Sequence, residues 1–277
     1  QSLKNTIKEI EIAENPAFLK EQLISYLGNK RAILNEILNV LCEIKSELKK
    51  QKISFVDVFS GSGVVARAAK AYSSLVVAND LEDYSRVINS CYLSNFTPEL
   101  KEQIDKSFKQ ILEKFKPSES FISKLYAPKD DANIKHGERV FYSRENALII
   151  GGLRKAIEEI DLDFRHFFIA PLLSEASIHS NTGGVFKGFY KDKNGVGKFG
   201  GSGENALNRI LGKITLQKPI FSNFTSEFEV YQQDALRLTD ILSPLDIAYF
   251  DPPYNQHPYG SNYFMLNLIA NLSKSKF

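Results

Sequence analysis

Ile53-Ser54-Phe55-Val56-Asp57-Val58-Phe59 runs directly into Ser60-Gly61-Ser62-Gly63-Val64-Val65-Ala66. The first half is dense in β-branched and aromatic residues, which predicts a strand buried on both faces over 53–59. The second half has the form G-x-G-x-x-A, and glycines at the end of a strand let the main chain turn tightly and approach a ligand where the next helix begins. A glycine pair alone is also compatible with a purely structural turn. Asp80 tips the balance toward a binding site. It follows Leu75-Val76-Val77-Ala78-Asn79, about 20 residues on, where a carboxylate can accept both hydroxyls of a ribose.

Two kinds of ligand present that ribose, dinucleotides and S-adenosylmethionine (SAM). Phosphate groups favour uncharged glycine turns above a helix N-terminus. Asp57, just ahead of the turn, would repel them and attract an ammonium group. The residue types therefore favour SAM, with Asp57, Phe59, Gly61, Gly63 and Asp80 as candidate cofactor contacts.

Outward from this stretch, 75–78, 228–232 and 246–250 read as further buried strands, and the segments between them as helices. A helical stripe within 21–50, from about Lys30 onward, is formed by Leu34, Ile37, Leu38, Leu41 and Leu48. Leu100, Ile104, Phe108, Ile111, Leu112 and Phe115 step by three and four after Pro98. A third helix is expected over 144–160, where Gly151-Gly152 threatens an interruption, and a fourth over 263–269. Strands alternating with helices predict an α/β domain around a mainly parallel sheet. Residues 95–225 form an insertion, so that 1–94 and 226–277 make the first domain and 95–225 a second region.

The 277 residues are 43% hydrophobic and 25% charged, with 35 Lys+Arg against 33 Asp+Glu, a composition of globular proteins with a sizeable core. Cys42 and Cys91 fit neither a metal spacing nor a disulfide framework, and no apolar run approaches the ~18 residues of a membrane span. A cytoplasmic protein is expected. His136, His166, His179 and His257 show no ligand spacing, so no metal is implied.

At the end of the fourth strand stands Asp251-Pro252-Pro253-Tyr254. An exocyclic base amine is a weak nucleophile because its lone pair is delocalised into the ring. Acceptors on its N–H groups, the Asp251 carboxylate and the Pro252 carbonyl, would free that lone pair. Pro252 and Pro253 stiffen the loop, and Tyr254 offers a face for a base turned out of the duplex. Together with Tyr26-Leu27-Gly28-Asn29-Lys30 and Gln233-Asp234-Ala235, these motifs resemble the amino-group DNA methyltransferases. The nearest resemblance is to adenine-N6 enzymes of the D12 type, which insert their recognition region before this tetrapeptide. That resemblance implies a Rossmann-like SAM-dependent methyltransferase fold with an inserted DNA-recognition region. It further implies SAM as cofactor, cofactor contacts at Tyr26, Gly28, Lys30 and Asp234, and a double-stranded DNA substrate. A restriction endonuclease of the same system is an implied partner.

Residues 165–218 carry eight basic groups against three acidic ones, and eight of the 16 glycines lie within 183–203. Ser180-Asn181-Thr182-Gly183-Gly184-Val185-Phe186-Lys187-Gly188-Phe189-Tyr190-Lys191 mixes glycine, aromatics and lysine, as suits a surface that tracks phosphates and stacks on bases. Lys187, Tyr190, Lys191, Lys193, Lys198 and Arg209 are the candidate DNA contacts, with a solvated basic loop as the plainer reading. Only 23 residues follow Tyr254, whereas the family continues with further strands. The resemblance thus implies missing C-terminal strands, a second polypeptide that supplies them, or a SAM- and DNA-binding fragment without catalysis. Cytosine-N4 methylation shares the amine chemistry, but Asp251 favours adenine. A nicotinamide oxidoreductase would leave the tetrapeptide unexplained.

Overall fold

The computed structural model describes residues 2–201, 203, 205–254 and 258–271. They divide into two compact units. The first holds residues up to Leu23, Gly28–Lys101 and Pro219–Tyr254, and the second holds Ile24–Leu27, Glu102–Lys218 and the residues after Tyr254. His257 lies outside the described residues.

The first unit is built on four strands, β1 (Ile53–Asp57), β2 (Ser73–Asn79), β3 (Glu227–Tyr231) and β4 (Ile247–Tyr249), in the order β3-β2-β1-β4. Every pairing is parallel, with Asp57 opposite Ala78 on one side and Tyr249 on the other. The parallel sheet expected from sequence is present. Alternation along the strands sends Phe55, Val76 and Ala78 into a core with Leu34, Leu38 and Leu41. It sends Val56, Val58 and Val77 to the other face, under Leu238. Each buried Val, Leu or Phe among them contributes about 1.5–3 kcal/mol of transfer free energy. The two inner strands β1 and β2 are covered on both faces, which explains their continuous apolar runs. β3 and β4, expected to be buried as well, are half-exposed because they lie at the edges of the sheet, with Glu227, Glu229 and Ala248 exposed. Asp246 fixes the register of β4 from its N-terminal end, accepting from Ser54 N at 2.9 Å and from Lys50 Nζ at 2.5 Å.

The helix expected within 21–50, from about Lys30 onward, starts slightly later. It runs Leu34–Glu47, after a single tight turn at Lys30–Ile33. Before it, Gln22 at φ 53° and Gly28 at φ 71° take left-handed conformations that a helix does not allow.

The second unit is helical. Pro98–Lys114 leads into it, and Phe121–Leu125, Arg144–Ile157, His166–Ile178 and Phe264–Ala270 supply its body. Gly151 and Gly152 do not interrupt the helix at Arg144–Ile157. A Cβ on either would collide with the carbonyl oxygens of Ser118 and Lys116, so the pair admits another segment of backbone against the helix. His166–Ile178 has no counterpart among the helices expected from sequence. It is buried almost all round and contains Pro171, so it shows no amphipathic stripe and carries a residue that argues against a helix. No helix among the described residues is long and apolar enough to cross a membrane.

Candidate active site

Parallel strands bring all their carboxyl ends to one edge, and there the first unit gathers its charged residues. Gly61 and Gly63 turn the chain after β1 at φ 53° and 77°. A Cβ on Gly63 would stand 2.8 Å from Asn89 Oδ1, and that same oxygen accepts from Ser60 Oγ at 3.1 Å. The turn thus admits only glycine at this position. Gly61 N donates to Asp80 Oδ2 at 2.8 Å, and Glu82 N donates to Asp80 Oδ1 at 3.1 Å, so the carboxylate after β2 is oriented by the glycine turn after β1. Burial raises the Asp80 pKa, and these N–H bonds oppose the rise.

Asp57 ends β1 at 1% exposure, and its Oδ1 has no hydrogen-bond partner. Burial, reinforced by the charges of Asp80 and Asp251, pushes its pKa up to about 8 against N–H groups of Phe59 and Ala66. Phe59 is half-buried against the Val56, Val58 and Val77 cluster. Beyond β4, Asp251 Oδ2 lies 2.9 Å from Lys30 Nζ, and that ammonium sits 5.6 Å from the centroid of the Tyr254 ring. Tyr254 is otherwise 67% exposed. Tyr249, in register with Asp57, has its hydroxyl pKa pushed up to about 12 by burial and by the charges of Asp251 and Asp57.

Lys30, Asp251 and Tyr254 are thus in mutual reach, and Asp57 feels the charges of Asp80 and Asp251. Asp234 is exposed and caps the helix Ala235–Ile241 through Leu236 N at 2.9 Å. Tyr26 falls in the second unit, where its ring stacks 4.8 Å from Tyr263 and lies 5.2 Å from Tyr259. The adjoining Leu27 N donates to Tyr263 Oη at 2.6 Å.

Two kinds of contributor, an asparagine and a pair of leucines, were not singled out from sequence. Asn79, 2% exposed, donates to the carbonyls of Val58 and Gln233 and accepts from Gln233 N, joining the ends of β1, β2 and β3. Leu81 and Leu236 are 63% and 82% exposed, each one or two residues after a carboxylate of the pair Asp80 and Asp234. An asparagine closing an apolar strand was the available signal for the first, and apolar residues beside loop carboxylates for the second.

In the second unit the described residues from Asn181 to Gly201 form a loop held by hydrogen bonds. Asn181, fully buried, donates to the carbonyls of Val140 and Lys198 and accepts from Gly200 N at 3.0 Å. Beyond it Lys191 and Gly197 pair as an antiparallel bridge. The Asp192 carboxylate closes the tip by accepting from Asn194 N and Val196 N at 2.8 and 2.9 Å. Lys187, Lys191 and Lys193 are exposed, while Tyr190 and Lys198 are half-buried. Arg209 turns its guanidinium to the carbonyls of Ile178, Ser180 and Thr182, where it caps the end of a helix and the loop that follows.

The profile of the D12 class N6 adenine-specific DNA methyltransferases matches residues 26–276. The chain is 33% identical over 253 residues to the type II methyltransferase M.NlaIII of Neisseria lactamica, covering 89% of this chain and 69% of that protein. It is 30% identical over 251 residues to the type II methyltransferase M.CviAII of Paramecium bursaria Chlorella virus 1, covering 89% and 68%. Identity to the modification methylase LlaI of Lactococcus lactis is also 30%, over 261 residues, but these make up only 38% of that longer protein. No solved structure gives a significant match. With its parallel sheet, glycine turn and Asp-Pro-Pro-Tyr after β4, the chain belongs to the D12 class of N6 adenine-specific DNA methyltransferases.

Proposed function

We propose that the carboxyl edge of the sheet binds SAM, that Asp251 to Tyr254 act on the adenine amine, and that the Lys187 to Lys198 loop follows the DNA backbone. One observation carries this reading. The Lys30 and Asp251 pair, with Tyr254 beside it, stands at the end of the strand next to the one that bears Asp57 and the glycine turn.

The residues present fit the cofactor. Asp57 Oδ1 is a buried acceptor without a partner, suited to an ammonium group. Asp80 is held by Gly61 and Glu82 where it can accept ribose hydroxyls, and Leu81 and Leu236 offer exposed apolar surface for a base. Bound SAM supplies a sulfonium-activated methyl group. Asp251, with one oxygen fixed by Lys30, accepts an N–H of adenine, and the Pro252 carbonyl accepts the other. The lone pair of N6 is thereby freed from the ring, and attack needs only alignment and electrostatic support. Tyr254 stacks on the extruded base with the Lys30 charge behind its ring.

The relatives' names, type II methyltransferase and modification methylase, support a role as the modifying half of a restriction-modification pair, with a cognate endonuclease as partner. Tritiated-methyl transfer from SAM to duplex DNA, followed by nucleoside analysis, tests the proposal. N6-methyladenine is expected with the parent chain and none with Asp251→Ala, whose SAM affinity should stay within a few-fold. Labelled N4-methylcytosine, or an active Asp251→Ala, would overturn it.

A further inference from the structure

Of the carboxyl groups at the carboxyl edge of the sheet, Asp57, Asp80 and Asp251 are not equally answered. Asp251 has the ammonium of Lys30 at 2.9 Å. Asp80 has two main-chain N–H groups. Asp57, the most buried of the three, has an oxygen with no partner at all.

The groups that face Asp57 explain its state. Asp80 comes from the end of β2, and Asp251 and the Tyr249 hydroxyl come from β4 and the loop after it. The helix Val64–Ala69 and the turn before it contribute the N–H groups of Ala66 and Phe59. Arg67 of that helix is turned away, donating to the carbonyls of Phe18 and Glu21. The influences on Asp57 are therefore burial and two like charges, opposed only by main-chain dipoles, and its pKa rises to about 8. Near neutral pH the carboxyl keeps its proton. The unpartnered, buried Asp57 Oδ1 is an acceptor that a bound ammonium group can meet.

We propose that cofactor binding ionises Asp57: the α-ammonium of SAM takes the carboxylate as its partner, and the carboxyl proton leaves to solvent. This rests on the reading of the site as a SAM pocket. Below about pH 8 the affinity then rises with pH, because the ligand must displace a proton, by up to tenfold per unit.

Isothermal titration of SAM into the full chain at pH 6.5, in buffers of differing ionisation enthalpy, counts the proton. The α-amino group of the ligand, with a reference pKa of about 7.7–8.0, is already charged at that pH and contributes little. The expected result is release of close to one proton per SAM, and a Kd that falls about tenfold per unit from pH 5.5 to 7.5 and then levels off. Asp57→Asn should bind at least tenfold more weakly at pH 8, with an enthalpy independent of buffer. If that variant does not fold, the pH series on the parent chain still decides. SAM binding with buffer-independent enthalpy and a flat pH series would overturn the linkage and leave the pocket standing. Absence of SAM binding at every pH would overturn the pocket as well, and with it this proposal.

Discussion

Lys30 Nζ lies 2.9 Å from Asp251 Oδ2, with the two side chains only 17% and 30% exposed. The first motif of the site and the last are therefore in direct contact, although they stand near opposite ends of the chain. The ion pair fixes one carboxylate oxygen and, on the proposed reading of the site, leaves the other to the base. Lys30→Ala should lower the rate of methyl transfer by about 10²-fold, the scale of a catalytic group misplaced by an ångström. SAM affinity should change far less, and Lys30→Arg should restore part of the rate. Single-turnover kinetics with Kd measured separately would check this. A loss confined to SAM affinity would reassign Lys30 to the cofactor.

Gly63→Ala should destabilise the protein by about 1–3 kcal/mol, the cost of holding a non-glycine residue in a left-handed conformation. The new methyl group also meets Asn89 Oδ1. Urea unfolding would show a lower midpoint with an unchanged slope. Asn89→Ala in the same background should recover only the steric share, since the φ of 77° remains.

Asp57 makes stability fall as pH rises. Its folded pKa of about 8 lies above the ordinary carboxylate value, so between about pH 4 and 8 the folded state binds a proton that the unfolded chain has lost. Stability is fullest below that window and declines through it. Asp57→Asn removes the penalty, so the cofactor-free variant should melt higher than the parent at pH 8.5 and close to it at pH 5. Calorimetry at the two pH values would reveal it, and an equal difference at both would refute it.

Lys187, Lys191 and Lys193 are exposed on the closed loop. Replacing all three with Ala should lower the slope of log K against log salt by about 0.9 for each phosphate that is no longer neutralised. Fluorescence anisotropy on a labelled duplex over a salt series measures the slope. A parental slope in the triple variant would make the loop a solvated one.

The inner strands β1 and β2 and the glycine turn were legible because burial on both faces leaves a dense apolar run with sharp polar ends, whereas the half-exposed β3 and β4 were legible from their aromatic and β-branched residues. The helix His166–Ile178 was not, since burial on every side erases the period that reveals a helix, and Pro171 argues against one. The separate roles of chemically similar residues were also hidden. Arg209 looked like a phosphate contact beside the lysines, yet its guanidinium serves three carbonyls. Asp234 and Asp80 both follow strands, yet the first caps a helix in solvent and the second is oriented by Gly61. Such assignments depend on partners distant in sequence, which no local pattern encodes.

Asn79 has a consequence beyond its own hydrogen bonds. One buried amide reaches Val58 and Gln233 and belongs itself to the strand before Asp80. The three loops at the edge of the sheet are thereby one mechanical piece, and substitutions in them should combine non-additively, with coupling of about 0.5–3 kcal/mol as for residues in one network. A lineage that altered the glycine turn would feel the change at the other two loops. These loops are free to diverge only together, and a graft of one from a relative should succeed only when its neighbours travel with it.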